Sequence, residues 1–126
     1  MNQTESKVIL IIDDDAMNRE VMEAFLTSED FAVLLAKNGQ EGFASARENI
    51  PHGIILDVRM PDMSGYEVCK QLKAEQTTQH IPVMIVTGFD AKEDFERGRE
   101  AGADDFLTRP FDGGELLERV ANLVAD

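Results

Sequence analysis

The fold of this chain is decided by the stretch Gly53-Ile54-Ile55-Leu56-Asp57-Val58-Arg59-Met60-Pro61. It is an apolar run that ends in one carboxylate, Asp57, and then breaks at a proline. A short apolar run between turn signals predicts a strand that is buried on both faces. Asp57 would then stand at the carboxyl edge of a parallel sheet, which is where open α/β sheets bind their ligands.

The same pattern occurs at three other places in the chain. An apolar run that begins at Val8 ends in Asp13-Asp14-Asp15, a second ends in Thr87-Gly88, and a third ends in Thr108-Arg109-Pro110. If these strands are parallel, their carboxyl ends meet at one edge of the sheet. The sequence therefore predicts a small site that contains an acid pair, a single aspartate, a hydroxyl and a cation.

Composition limits the class of protein. The 126 residues predict a single domain, residues 1–126, whose first six residues are a polar lead-in. The formal net charge of −13 opposes binding to phosphates, so we expect no direct nucleic acid binding by this domain. Cys69 is the only cysteine and cannot form an internal disulfide. Without a signal peptide or an apolar run of about 20 residues, we expect a cytoplasmic protein with no membrane contact.

Strands and helices are expected to alternate five times. The predicted helices cover about 16–28, a segment from Asn38-Gly39 to Pro51, a segment capped by Ser64, about 92–100 and about 112–124. Strict alternation implies a parallel sheet with helices on both of its faces. Five strands favour the flavodoxin-like, doubly wound α/β order 2-1-3-4-5, which places strands one and three side by side at the switch point.

Apolar stripes predict which helix faces pack on the sheet. The stripe of the first helix consists of Met17, Val21, Ala24 and Phe25. The stripe of the second helix consists of Phe43, Ala46 and Ile50. The stripe of the third helix consists of Val68, Cys69 and Leu72. The stripe of the fifth helix consists of Leu116, Leu117, Val120, Leu123 and Val124. The fourth helix is nearly all charged apart from Phe95, so we expect it to pack lightly and to be able to move.

The expected site has chemistry of its own. Three carboxylates, Asp13, Asp14 and Asp57, repel one another unless a cation or a proton neutralises them. A donor set of oxygens alone suits a hard ion, Mg²⁺ above all. A carboxylate can also accept a phosphoryl group, and Thr87 and Arg109 would then help to neutralise and position it. Asp15 is interpreted as the N-cap of the first helix.

With these motifs, the chain resembles the receiver domains of two-component response regulators, the CheY-like family. The resemblance covers nearly the whole chain. It rests on the motifs Ile11-Ile12-Asp13-Asp14-Asp15, Leu56 to Gly65, Val86-Thr87-Gly88, Ala101 to Phe106, and Arg109-Pro110-Phe111.

The resemblance implies a role for each matching residue. Asp57 would accept a phosphoryl group from a histidine kinase or phosphotransfer protein, and Mg²⁺ would bind Asp13, Asp14, Asp57 and the backbone carbonyl of Arg59. Thr87 and Phe106 would be the switch residues. Arg59 and Phe89 would tune the lifetime of the phosphoryl group.

The resemblance also implies an output. The fourth helix, fifth strand and fifth helix would form the surface that a downstream effector protein or domain reads, and the same surface could form a homodimer. Such a domain is a signalling module rather than an enzyme, because it catalyses only its own phosphoryl transfer and dephosphorylation. The bond before Pro110 would be cis, as in typical members.

Arg109 departs from the pattern, because the family has a lysine there. A planar guanidinium can reach with two donors at once, so the exchange is not neutral. We expect Arg109 to pair with Asp57 before phosphorylation and to crowd the Mg²⁺ position, although it could instead clamp the phosphorylated Asp57. The departure also leaves a degenerate receiver, an interaction module that works without phosphorylation, as the main alternative.

Two other classes fit the residues less well. An aspartate-nucleophile phosphatase of the dehalogenase type needs a second acid two residues after the nucleophile, where this chain has Arg59. A flavin carrier with the same fold needs a Ser/Thr/Gly-rich phosphate loop after strand one, where this chain has Asp14-Asp15-Ala16-Met17-Asn18.

Overall fold

Strands and helices alternate along the chain in the computed structural model, which describes residues 6–88 and 92–125. The five strands are β1 (Val8–Ile12), β2 (Ala32–Ala36), β3 (Gly53–Asp57), β4 (Val83–Thr87) and β5 (Asp105–Thr108). The five helices are α1 (Ala16–Ser28), α2 (Gly39–Asn49), α3 (Gly65–Ala74), α4 (Lys92–Ala101) and α5 (Gly113–Leu123). The predicted elements and their bounds are confirmed to within a residue or two.

All strands of the sheet are parallel, and their order is β2-β1-β3-β4-β5. The predicted flavodoxin-like order is therefore confirmed. β1 and β3 are neighbours, with Ile12 in register with Leu56. Asp13 and Asp57, the residues that follow this pair, leave the sheet at the same edge.

Two apolar layers cover the sheet. Successive strand residues point to opposite faces, so that Leu10 and Ile12 belong to one core cluster while Ile9 and Ile11 belong to the other. The first cluster contains side chains of α2, α3 and α4, and the second contains those of α1 and α5. This double burial is the physical reason for the continuous apolar runs in the sequence.

Polar side chains fix the starts of four helices. Asp15, Asn38, Ser64 and Asp112 are N-caps, each of which accepts a hydrogen bond from a backbone N–H in the first turn. Ser64 forms a full capping box with Glu67. Asp15 and Ser64 therefore cap the helices for which they were predicted.

The predicted inner face of α1 is wrong. Met17, Val21 and Phe25 are 72%, 46% and 37% exposed, and Ala24 is exposed as well. The residues of α1 that enter the core are Met22 and Leu26, one position further round the helix.

In α2, Ala46 is buried and Phe43 is half-buried as predicted, but Ile50 is exposed. Ile50 follows the last helical residue in a left-handed conformation, with φ 44°, and this turn carries it off the inner stripe. The stripes of α3 and α5 are confirmed, since their members are buried or half-buried. No helix in the described ranges has the length and apolar character that a membrane crossing requires.

Candidate functional site

Four strand ends form the site. Asp13 follows β1, Asp57 ends β3, Thr87 ends β4 and Arg109 follows β5. The backbone N–H of Arg109 donates to the carbonyl oxygen of Thr87 at 2.8 Å, which fixes the exit of β5 against β4. The predicted convergence of acids, hydroxyl and cation is thus present at the carboxyl edge of the sheet.

The acids form a tight cluster. Asp13, Asp14 and Asp57 each offer a carboxylate oxygen, and these oxygens lie within 4.8 Å of one another. Asp13 is 1% exposed and Asp57 9% exposed, whereas Asp14 is open to solvent. The cluster therefore has a buried floor of two carboxylates and one accessible acid at its rim.

Burial raises the pKa of both inner aspartates. For Asp57 the largest cause is desolvation, followed by the negative charge of Asp13, while Arg109 acts in the opposite direction. For Asp13 desolvation again raises the pKa most, and the backbone hydrogen bond from Asp15 and the charge of Arg109 lower it. The two carboxylates are costly to keep ionised, so a bound cation would stabilise them.

Arg109 bridges the two inner acids. Its Nη1 donates to Oδ1 of Asp57 at 3.1 Å, and its Nη2 donates to Oδ2 of Asp13 at 3.1 Å. The guanidinium is about one-third exposed, so this is a partly buried ion-pair network rather than a surface contact. One cation thus serves two carboxylates on different strands.

A cavity of about 220 Å³ opens beside Asp57. It is lined by Asp57, Val58, Arg59, Val86, Thr87, Gly88 and Arg109. Asp57, Thr87 and Arg109 thus border one small space, and a carboxylate, a hydroxyl-bearing side chain and a guanidinium are the groups that an anionic group attached to Asp57 would need nearby.

The hydroxyl of Thr87 is buried and unsatisfied. Thr87 is 1% exposed, and its Oγ1 has no hydrogen-bond partner within residues 6–88 and 92–125. A buried hydroxyl without a partner is costly, so its presence needs a reason. A ligand oxygen in the adjoining cavity would supply the missing partner.

Phe106 lies on β5 and is half-buried against the core cluster that contains side chains of α4. Its ring meets that of Phe95 edge-on, with the centroids 5.0 Å apart. α4 is also tied to α3, because the guanidinium of Arg97 stacks over the ring of Tyr66 at 4.4 Å. Phe106 thus joins the sheet to the helix that was predicted to move.

The remaining predicted residues are less constrained. The side chain of Arg59 is exposed and borders the cavity, and the role of its backbone carbonyl as a metal ligand stays a prediction. Phe89, predicted to tune lifetime, lies outside the described residues. The roles of Thr87 and Phe106 as switch residues likewise stay predictions. The peptide bond between Arg109 and Pro110 is cis, as predicted.

Two supporting residues were not singled out from the sequence. The carboxylate of Asp62 accepts hydrogen bonds from the backbone N–H groups of Gly39 and Gln40, at 3.0 and 2.9 Å, and so fastens the loop after Asp57 to the start of α2. A Cβ on Gly65 would lie 2.3 Å from the carbonyl oxygen of Asp57, so only glycine permits this approach of α3. Both residues lie in the Leu56 to Gly65 motif, but nothing in the sequence indicated the groups that they contact.

The donor set fits Mg²⁺. All three side chains offer only carboxylate oxygens, and within the described ranges no histidine or cysteine joins them. Mg²⁺ prefers such ligands, is usually bound by one or two carboxylates and keeps several waters. The exposure of Asp14 leaves the cluster accessible to a hydrated ion.

Comparison with known proteins agrees with this geometry. The family model described as the response regulator receiver domain matches residues 9–121. The response regulator PleD of Caulobacter vibrioides (strain NA1000 / CB15N) is 44% identical over 115 residues, which are 91% of this chain and 25% of PleD. The chain therefore spans about a quarter of the length of that relative.

Solved structures share the whole fold. The chemotaxis protein CheY4 of Vibrio cholerae has a TM-score of 0.89 at 27% identity, over 94% of this chain and 99% of CheY4. The receiver domain of the sensor histidine kinase PA1611 of Pseudomonas aeruginosa PAO1, crystallised with a magnesium ion in its active-site cleft, has a TM-score of 0.89 at 27% identity, over 97% of this chain and 100% of that one. The chain belongs to the response regulator receiver domain family.

Proposed function

We propose that this receiver domain is a phosphorylation-dependent switch in which Asp57 accepts a phosphoryl group from a histidine kinase or phosphotransfer protein. Mg²⁺ would bind Asp13, Asp14, Asp57 and the backbone carbonyl of Arg59. The observation that carries the proposal is the cavity beside Asp57. It is bordered by the Asp57 carboxylate, by the Arg109 guanidinium and by Thr87, whose buried hydroxyl has no partner in the described residues. Receiver domains are signalling domains, and self-catalysed transfer and hydrolysis are the only chemistry proposed.

The transfer step needs little from the protein beyond positioning. A carboxylate oxygen of Asp57 attacks the phosphorus of a phosphohistidine, the P–N bond breaks, and the imidazole leaves with the electron pair and takes up a proton. Mg²⁺, when bound, would neutralise the negative charge of the carboxylates and of the transferred group. Gly65 holds α3 against the backbone of Asp57 and so keeps the acceptor at a fixed place.

The switch would follow from the added charge. A phosphoryl group brings about −1.5 to −2 charges at neutral pH and three acceptor oxygens. The Thr87 hydroxyl would donate to one of them and thereby gain the partner it lacks. Movement of Thr87 changes the space behind it, and Phe106 and α4 would respond, because Phe106 packs against Phe95.

The output surface would be that of α4, β5 and α5. The described side-chain contacts that hold α4 include those of Phe95 with Phe106 and of Arg97 with Tyr66. A helix held in this way can shift between two arrangements, and a downstream effector would bind one of them better. A homodimer through the same surface, and a cytoplasmic location shared with the kinase, complete the proposal.

A phosphate-affinity gel tests the function. The purified protein is treated with acetyl phosphate and Mg²⁺, and we expect a retarded band that disappears in Asp57→Asn and on chelation of Mg²⁺. Phe89→Ala should shorten the lifetime of that band, since a bulky residue at this position would exclude water. An unshifted wild-type band with both acetyl phosphate and a histidine-phosphorylated donor would refute the proposal.

The degenerate receiver is the second candidate, and one observation favours it. Arg109 already pairs with both Asp57 and Asp13, so the acceptor has a counter-ion without any metal. If the domain is a module of this kind, wild type and Asp57→Asn would bind the effector with equal affinity, with or without acetyl phosphate. An affinity that rises on phosphorylation would exclude it.

A further inference from the structure

Arg109 leaves Asp13 with no free oxygen. The Oδ1 atom of Asp13 accepts a hydrogen bond from the backbone N–H of Asp15 at 2.9 Å, and its Oδ2 accepts one from Nη2 of Arg109 at 3.1 Å. The same guanidinium binds one oxygen of Asp57. A buried acid pair that would repel itself is therefore partly neutralised from within the chain.

A metal ion would need the same atoms. Mg²⁺ demands ligand oxygens at about 2.0–2.1 Å in octahedral geometry. Each oxygen of Asp13 already accepts one hydrogen bond, so an ion that binds Asp13 would share its ligand oxygen with the backbone N–H of Asp15 or with Arg109, and the Arg109 side chain is the more mobile of the two partners. A guanidinium that remained in place would also set a positive charge beside the incoming ion.

A displaced Arg109 side chain would have space in a neighbouring groove. Arg109 lines the cavity beside Asp57 and also a more open groove of about 480 Å³. That groove is lined by Val21, Phe25, Gly88, Arg109, Pro110 and Phe111. Since the backbone N–H of Arg109 is bound to Thr87, the movement would be one of the side chain alone.

We propose that Arg109 is a resident counter-ion that competes with Mg²⁺ for Asp13 and Asp57. This inference rests on the proposed metal site. It gives the domain a metal-free resting state that is held together by the fork of the guanidinium. Lysine at this position would carry the same charge on a single compact ammonium, which cannot span two carboxylates in the same way.

The competition predicts Mg²⁺ affinities. By titration calorimetry, Arg109→Lys should bind Mg²⁺ about tenfold more tightly than wild type, the scale of one charge-assisted hydrogen bond that no longer has to be broken. Because lysine carries the same charge as arginine, the gain in Mg²⁺ affinity isolates the effect of the two-donor geometry of the guanidinium. Arg119→Lys is the matched control, because Arg119 pairs with Asp105, with the two atoms 2.9 Å apart, and takes no part in the acid cluster. The Mg²⁺ affinity of Arg119→Lys should equal that of wild type.

Thermal unfolding gives a second measurement. Without Mg²⁺, Arg109→Ala should unfold at a lower temperature than wild type, because two buried carboxylates lose their partner. Saturating Mg²⁺ should raise its midpoint more than that of wild type, because stabilisation by a ligand grows with the logarithm of its affinity. Equal Mg²⁺ affinities in wild type and Arg109→Lys would overturn the inference.

A further variant separates this failure from failure of the metal site. Asp14→Asn removes an accessible ligand that Arg109 does not touch, so it should weaken Mg²⁺ binding whatever Arg109 does. If Asp14→Asn binds Mg²⁺ like wild type, the proposed metal site is wrong and the competition falls with it. If Asp14→Asn weakens binding while Arg109→Lys leaves it unchanged, only the competition is wrong.

Discussion

The ring of Phe106 occupies the place where residue 98 would carry a Cβ atom. A Cβ built on Gly98 would lie 2.4 Å from Cε1 and 2.9 Å from Cζ of that ring, distances that no unrelaxed packing allows. Gly98 is therefore the residue that lets Phe106 lie beneath α4, where Phe95 closes over its edge. The position of the proposed switch aromatic depends on a missing side chain in the neighbouring helix.

We predict that Gly98→Ala displaces the ring of Phe106 and destabilises the domain. Forcing a methyl group into packed space costs about 1–3 kcal/mol, which over most of that range exceeds the gain of about 1 kcal/mol from replacing a helical glycine. Urea unfolding gives the free energy, and NMR shifts of the Phe106 ring report the displacement. Gly114→Ala is the control, since a Cβ there meets only Asp112 Oδ1 at 3.4 Å, and it should be neutral or stabilising. Unchanged ring shifts in Gly98→Ala would contradict the prediction.

The lowered pKa of Asp62 predicts that this residue stabilises the domain in a pH-dependent way. Backbone hydrogen bonds from Gly39 and Gln40 hold the pKa of Asp62 below its ordinary value. The stabilisation is therefore fully present above the ordinary aspartate pKa of about 3.9, and it is lost as the pH falls through the lower pKa of the folded state.

Asp62→Ala should accordingly lower the melting temperature near neutral pH, by an amount that shrinks towards zero in strong acid. The physical reason is that two N–H groups at the start of α2 lose their acceptor. Glu118→Ala removes an exposed acid from α5 and serves as the control. A melting difference between wild type and Asp62→Ala that stays constant with pH would contradict the assignment.

The strands were predictable because strand burial leaves a local mark in the sequence. β1, β3 and β4 are almost wholly buried, so each appears as an apolar run that ends at a polar residue. The ends of those runs identify Asp13, Asp57 and Thr87 as residues at the carboxyl edge of the sheet. The position of the site is thus encoded in sequence segments only five or six residues long.

The face of α1 was not predictable in this way. Val21 with Phe25, and Met22 with Leu26, are both apolar pairs at a spacing of four, so helical periodicity alone favours neither. The docking of α1 beside α5 selects Met22 and Leu26. The ring of Phe25 instead lies over Gly113, where a Cβ would come within 2.2 Å of it.

The predicted pairing of Arg109 with Asp57 is confirmed, but other contacts between distant residues were not predictable from the sequence. Asp62 meets Gly39 across 23 positions of the chain, and Arg109 meets Asp13 across 96. The pattern of strand ends already placed Arg109 at the site, but its simultaneous contact with two carboxylates depends on side-chain geometry. No pattern of spacing specifies which oxygens a guanidinium will bind.

Two buried threonines differ in one respect. The hydroxyl of Thr78 is 0% exposed and donates to the carbonyl oxygen of Leu72 at 2.7 Å. The hydroxyl of Thr87 is equally buried but has no partner in the described parts of the chain. The first stabilises the fold, whereas the second is a cost that we attribute to function.

Valine has nearly the shape of threonine, so it removes the hydroxyl while keeping the packing. We predict that Thr87→Val raises the free energy of unfolding of the unphosphorylated domain by about 1 kcal/mol, because an unsatisfied buried group is lost. Thr78→Val should lower it by about the same amount, because the Leu72 carbonyl loses its donor. Urea unfolding of the three proteins in parallel measures both effects. Acetyl phosphate with Mg²⁺ should then stabilise wild type more than Thr87→Val, since only the hydroxyl can donate to the phosphoryl group. If Thr87→Val is destabilised as much as Thr78→Val, the Thr87 hydroxyl already has a partner in the resting domain and is not held in reserve for the phosphoryl group.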